Sequence, residues 1–257
     1  MKKPILPIGK WHPINEKNEI GNNTISEIQS EYQPVVEKTI EIIINHLKDN
    51  LDSIYLRGSV AKGYAQPIIS DIDFIVITKN KNSTEEESLQ KILDELIATH
   101  FQWIQRIEIL FYELTKISRI NEFWLKVHSS FLYGTNRLDA IKPFKITDTE
   151  AKAHSNELKS SMEKFKNDLK SGKKRSFSWA FKRIIRTGFE TVMIVENSYS
   201  RDLYLNYEVF AKHFPEKKEA MYKALDFVVN PNDNLIENIE IIEDLTYFIV
   251  SKIEENS

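Results

Sequence analysis

The chain has 257 residues, 28% of them charged and 11% aromatic, with only 7 Gly and 8 Pro. That composition excludes a disordered or fibrous chain and leaves room for one large domain or two modest ones. The formal net charge of −3 argues against a protein that coats nucleic acid electrostatically, and the absence of Cys excludes disulfides and thiolate metal sites.

Residues 1–23 are polar, carry Pro4, Pro7, Pro13 and Gly21, and read as an extended arm rather than a signal peptide. Thr24 and Ser26 are candidate caps for a helix running to about His46, in which Pro34 marks either a kink or the true start. Ser53 to Leu56 is a short strand, followed by Arg57-Gly58-Ser59. Ile72 to Thr78 is almost wholly apolar and is expected to be a central strand, covered on both faces. Thr84 to His100 is an amphipathic helix and Ile104 to Tyr112 a third strand. From Thr147 onward the pattern is helical, over 148–171, 176–197, 205–214, 216–228 and 235–254, with Ser176 as one N-terminal signal. The expected fold class is therefore α+β: an N-terminal α/β domain with a small mixed sheet flanked by helices, then a C-terminal helical bundle. The expected domains are 1–145, with the arm 1–23 in the first, and 146–257. No apolar run is long enough to span a bilayer, so the expected protein is soluble and cytoplasmic, with no membrane partner.

The chemistry concentrates in Leu56-Arg57-Gly58-Ser59-Val60-Ala61-Lys62-Gly63 and Ser70-Asp71-Ile72-Asp73. Gly58 lets the backbone approach an anion, and Ser59 offers a hydroxyl and an amide beside it. Asp71 and Asp73 lie two apart in a strand, so their carboxylates share a face and repel unless a cation intervenes; hard oxygen ligands beside a phosphate favour magnesium. In Arg106 to Tyr112, alternation puts Ile107, Ile109 and Phe111 on one face and Arg106, Glu108 and Tyr112 on the other. If this strand lies beside the aspartate strand, Glu108 joins the same site, as a metal ligand or as the base for an attacking hydroxyl.

Gly58-Ser59, eleven intervening residues, Asp71-Ile72-Asp73 and the later acid Glu108 resemble the signature of the nucleotidyltransferase superfamily that includes DNA polymerase beta, CCA-adding enzymes and aminoglycoside adenylyltransferases. Within it the chain is most similar to the streptomycin/spectinomycin adenylyltransferases, through Phe131-Leu132-Tyr133-Gly134, which looks like their turn before the helical domain, and through Asn206 to Pro215. The resemblance implies a nucleotidyltransferase of adenylyl type with magnesium, two ions, and ATP or another nucleoside triphosphate as co-substrate. It implies that Asp71, Asp73 and Glu108 are catalytic and metal-binding. It also implies that Gly58, Ser59 and Ser70 hold nucleotide and that the acceptor is a hydroxyl-bearing small molecule such as an aminoglycoside. The family's phosphate-binding arginine is best matched by Arg186, with Lys182 one turn earlier; its lysine before the C-terminal stretch has no counterpart nearer than Arg201. The active site is expected in a cleft between the two domains.

Residues 164–186 hold nine Lys or Arg against one acid, Asp168. Lys173, Lys174 and Arg175 read as a solvated loop, whereas Lys182 and Arg186 share a helical face that suits either solvent or a triphosphate. An RNA or protein acceptor, as in a toxin-like enzyme, and a silent nucleotide-binding module remain alternative readings. The aromatics Trp179, Phe181, Phe189, Phe210 and Phe214 are expected in the core, and the six histidines show no metal-ligand spacing.

Overall fold

The structure is a computed structural model and describes residues 2–25, 27–67, 70–170 and 177–255; Ser26, Lys173, Lys174, Arg175 and Ser176 lie outside the described residues. The chain divides into two compact units, Ile20–Phe144 and Met1–Glu19 with Lys145–Ser257.

In the first unit, Pro34 sits in the opening turn of α1 (Gln33–Leu47) and marks its start rather than a kink. Proline suits that position because its missing N–H would have no intrahelical partner. The expected extension back to Thr24 does not form: the Thr24 hydroxyl accepts a 2.6 Å hydrogen bond from Ser130 Oγ and caps nothing. β1 (Leu51–Arg57) leads directly into the short α2 (Gly58–Lys62), and β2 (Ile72–Thr78) follows. α3 (Ser83–His100) is capped by the Asn82 side chain, which accepts from the Glu85 amide, and leads to β3 (Ile107–Glu113). The strand expected from Ile104 starts later because Ile104 closes a turn onto the Phe101 carbonyl. Two elements were not anticipated: α4 (Arg119–His128), capped by Ser118, and β4 (Ser129–Gly134). Phe131 to Gly134, expected as a turn, therefore ends a strand, and only Gly134 has positive φ, +88°.

Among the described residues the four strands form one mixed sheet in the order β3-β2-β1-β4, with β2 and β3 parallel and the other pairs antiparallel. Ile54, Leu56, Ile72, Phe74, Val76 and Ile107 project to one face, where Val35, Val36, Ile43 and Leu47 of α1 and Leu89, Leu93 and Leu96 of α3 complete a buried core. β2 is interior and buried almost throughout, as its apolar run requires.

The second unit is helical: α5 (Leu158–Lys170), α6 (Phe177–Glu190), α7 (Leu203–His213), α8 (Lys218–Val229) and α9 (Leu235–Glu255). Its core joins Phe165, Phe181, Phe210, Met221, Phe227 and Leu245. α6 has Gly188 where any Cβ would stand 2.8 Å from Phe210 and 2.9 Å from Met221, so the helices approach closely there. α6 ends at Glu190, short of the expected 197, and turns follow. Helix α5 likewise begins later than expected, since residues 149–154 are turns. Of the expected core aromatics, Trp179 is 37% exposed and stacks on Phe165. The arm expected beside the first domain belongs with this unit through residue 19: Ile5 packs on the helical core and Trp11 lies 5.8 Å from Phe189.

Candidate active site

The site is built where β1, β2 and β3 run side by side. Asp73 pairs with Arg57 on one neighbour and with Glu108 on the other. Residues directly opposite in adjacent strands project to the same face, so Arg57, Asp73 and Glu108 form one row across three strands. This is the face away from the core set by Phe74 and Ile107. Asp71 stands just before β2, and Arg106 just before β3. The Arg106 guanidinium lies 2.8 Å from a Glu108 carboxylate oxygen and 3.8 Å from one of Asp71, so one cation spans two acids. Arg57 also lies 5.7 Å from the Trp124 ring of α4.

Burial pushes the Asp73 carboxyl above the ordinary aspartate range; Arg57 opposes that shift, while Glu108 and Asp71 add to it by like-charge repulsion. The fold thus holds the Asp73 carboxyl where burial disfavours its charge, with Arg57 and Arg106 partly offsetting that cost. Among the described residues no three His, Asp or Glu converge closely enough to hold an ion by themselves. Magnesium keeps several waters and takes one or two protein carboxylates together with substrate phosphates, so Asp71 and Asp73 with Glu108 beside them are a donor set that fits it.

Gly58 opens α2 with φ +77°, and a Cβ there would collide with the Asp73 carboxylate. Glycine at this position is what lets the turn after β1 lie against the aspartate strand. Ser59 sits in the first turn of α2, on the same turn. The Ser70 hydroxyl accepts a 2.9 Å hydrogen bond from the Gln66 amide, which ties Ser70, the neighbour of Asp71, to Gln66.

The remaining expected residues lie in the helical unit. Arg186 and Arg201 are brought together: Arg186 Nε donates to the Arg201 carbonyl at 3.2 Å. Both press on His154, whose pKa falls well below the usual value, first through burial and then through Arg201, Arg186 and Arg183. Lys182 is half-buried one turn before Arg186 on α6. Arg183, not singled out by the sequence, is held by Glu157 at 2.9 Å and lies over Trp179. Arg57 and Arg106 were also missed as site residues. The strand register would have found them, since Arg57 opposes Asp73 and Arg106 precedes Glu108 by two.

Residues 36–130 match the nucleotidyltransferase domain family. Asp71, Asp73 and Glu108 all fall inside that matched segment, with Asp73 and Glu108 on adjacent strands.

The fold of the chain is similar to that of spectinomycin adenyltransferase AAD(9) from Enterococcus faecialis, solved with ATP and spectinomycin. The TM-score is 0.61 at 14% identity, covering 86% of this chain and 99% of that one. A toxin–antitoxin MntA-HpeT mutant aligns with a TM-score of 0.32 at 16% identity, over 52% of this chain and 96% of that one. No curated protein matches the chain.

Proposed function

We propose that the protein transfers AMP from ATP to a hydroxyl of a small, polycationic acceptor of the aminoglycoside kind, releasing pyrophosphate. The observation that carries this reading is the in-register pair of Asp73 and Glu108, with Asp71 at the strand's entrance, inside a nucleotidyltransferase domain. The choice of ATP and of an aminoglycoside-like acceptor is supported by the whole-chain likeness to AAD(9), solved with ATP and spectinomycin.

Each residue has a task in this reading. Gly58 keeps the turn open beside Asp73 so that the triphosphate can lie against the backbone of 58–59. Asp71 and Asp73 hold magnesium, which when bound neutralises charge on the phosphates. Glu108 takes the proton from the acceptor hydroxyl, whose oxygen attacks the α-phosphorus in line as pyrophosphate leaves. Arg106, which holds Glu108 at 2.8 Å, must yield that contact to the hydroxyl. Lys182, Arg186 and Arg201 contribute cations for the phosphates.

The test is pyrophosphate release from each of the four ribonucleoside triphosphates with magnesium, against an aminoglycoside panel and, separately, bulk tRNA, with Asp73→Asn as the blank. Release with ATP and an aminoglycoside is the expected result. Release only with tRNA moves the acceptor to RNA, and release with neither leaves only a nucleotide-binding role.

A further inference from the structure

The segment 199–202, which carries Arg201, joins the turns after α6 to the first residue of α7 and has no regular structure of its own. Its backbone and side-chain polar groups are satisfied from a stretch some 190 residues away in sequence. His12 donates its amide to the Tyr199 carbonyl at 2.9 Å. The Lys10 amide donates to Asp202 Oδ2 at 2.8 Å, and Ser200 Oγ donates to the Lys10 carbonyl at 2.9 Å. Ser200 Oγ in turn accepts from the Asp202 amide at 3.1 Å. Gly9, at φ +153°, lies so close to α7 that a Cβ would stand 2.8 Å from Asp202 Cβ and 2.9 Å from Leu205 Cγ. Residues 9–12 therefore grip the chain on both sides of Arg201, while Arg186 holds the Arg201 carbonyl from α6.

We infer that Gly9–His12 is a strap that positions Arg201 for phosphate binding, with Ser200 and Asp202 as its anchoring residues. The inference rests on the reading that Arg201 binds the nucleotide phosphates. Fixing a loop cation before the ligand arrives removes an ordering cost from binding, so the strap acts on nucleotide affinity and not on the chemical step. Tyr199 and Ser200 are almost fully buried under the arm, so the contact is packed and not a surface brush.

Charge gives the strap a signature of its own. Asp202 is an acid adjacent in sequence to a phosphate-binding arginine, so electrostatics alone makes nucleotide binding tighter when its charge is removed. The strap makes it weaker in Asp202→Ala, which lacks the acceptor for Lys10. Asp202→Asn keeps an acceptor oxygen without the charge and therefore restores binding.

The experiment measures the affinity of the full chain for a nonhydrolysable ATP analogue with α,β-methylene linkage, and for inorganic tripolyphosphate, by calorimetry with magnesium. Melting curves run alongside. Asp202→Ala and Ser200→Ala are expected to weaken both probes about tenfold and a few-fold respectively, Asp202→Asn to recover wild-type affinity, and Asp202→Ala to add nothing in an Arg201→Ala background. If Asp202→Ala does not fold, Ser200→Ala, which deletes one hydroxyl, carries the test. Wild-type or tighter affinity in the strap variants, with Arg201→Ala weakened, overturns the strap. Unchanged affinity in Arg201→Ala itself overturns the phosphate role of Arg201, and the strap with it.

Discussion

Asp73 and Glu108 face one another across the parallel β2–β3 ladder, each the register partner of the other. A parallel ladder fixes which side chains share a face, so this pairing turns two acids 35 positions apart in sequence into one site. The same row includes Arg57, and Arg106 spans Glu108 and Asp71.

Glu108→Gln keeps the shape and the hydrogen bond to Arg106 but removes the proton acceptor. Pyrophosphate release should fall about 10²–10⁴-fold with the affinity for nucleotide little changed. Steady-state kinetics that separate kcat from KM check this; a variant with wild-type kcat rejects Glu108 as the base.

Asp73→Asn should abolish turnover yet make the protein harder to unfold at neutral pH. Burial and two like-charged neighbours raise the Asp73 pKa above 3.8, so folding at neutral pH holds an unfavourable charge that asparagine does not carry. Between pH 3.8 and the raised folded value, the folded state retains a proton that the unfolded chain has lost. This group's contribution to stability is thus present at acid pH and lost as the pH rises through that window. Magnesium should raise the melting temperature at neutral pH, and the increment should shrink on acidification and vanish in Asp73→Asn. Melting curves with and without magnesium across pH measure it.

Asp52 has the opposite dependence. Arg137 holds it bidentately, with Nε and Nη2 at 2.7 and 2.5 Å, and the hydrogen bonds from Arg137 pull the Asp52 pKa down. Its contribution is therefore present above the ordinary aspartate pKa of 3.8 and lost as the pH falls through the lowered value. Asp52→Asn should cost about 1–2 kcal/mol at neutral pH, discounted for the partial exposure of Arg137, and flatten the acid limb of the stability curve. Urea unfolding at several pH values reads both effects.

Gly58→Ala adds a Cβ at φ +77° that collides with the Asp73 carboxylate. Backbone strain of about 1–3 kcal/mol is expected from the conformation alone. The variant should lose stability by that order and lose activity further, because relief of the clash moves Asp73. Chemical denaturation paired with the pyrophosphate assay separates the two losses, and activity unchanged at full occupancy rules out a tight turn against Asp73.

Much of this was legible before any tertiary contact was known. The nearly continuous apolar run around Asp73 marked β2 as Ile72–Thr78, and the alternation Ile107, Ile109, Phe111 showed which way Glu108 points, because side-chain periodicity is a local property of an extended backbone. The glycine before Ser59 and the spacing to Asp71 carried the resemblance to nucleotidyltransferases, because a motif too is a property of nearby positions in the chain. What local pattern did not carry was partnership. β4 and α4 escaped notice because Ser129–Gly134 gains its strand character only by pairing with β1, and α4 is a short helix that runs straight into that strand. The arm 1–19 reads as polar linker, yet its amides find their acceptors on 199–202, which no window of sequence brings near. The sequence by itself determined which acids stand out as candidates and the strands beside which they lie. Only the tertiary structure decided that Arg57 and Arg106 stand among those acids and that Arg201 is held by the arm, because register and long-range hydrogen bonds are properties of the assembled sheet and of the packed helices, not of neighbours in the chain.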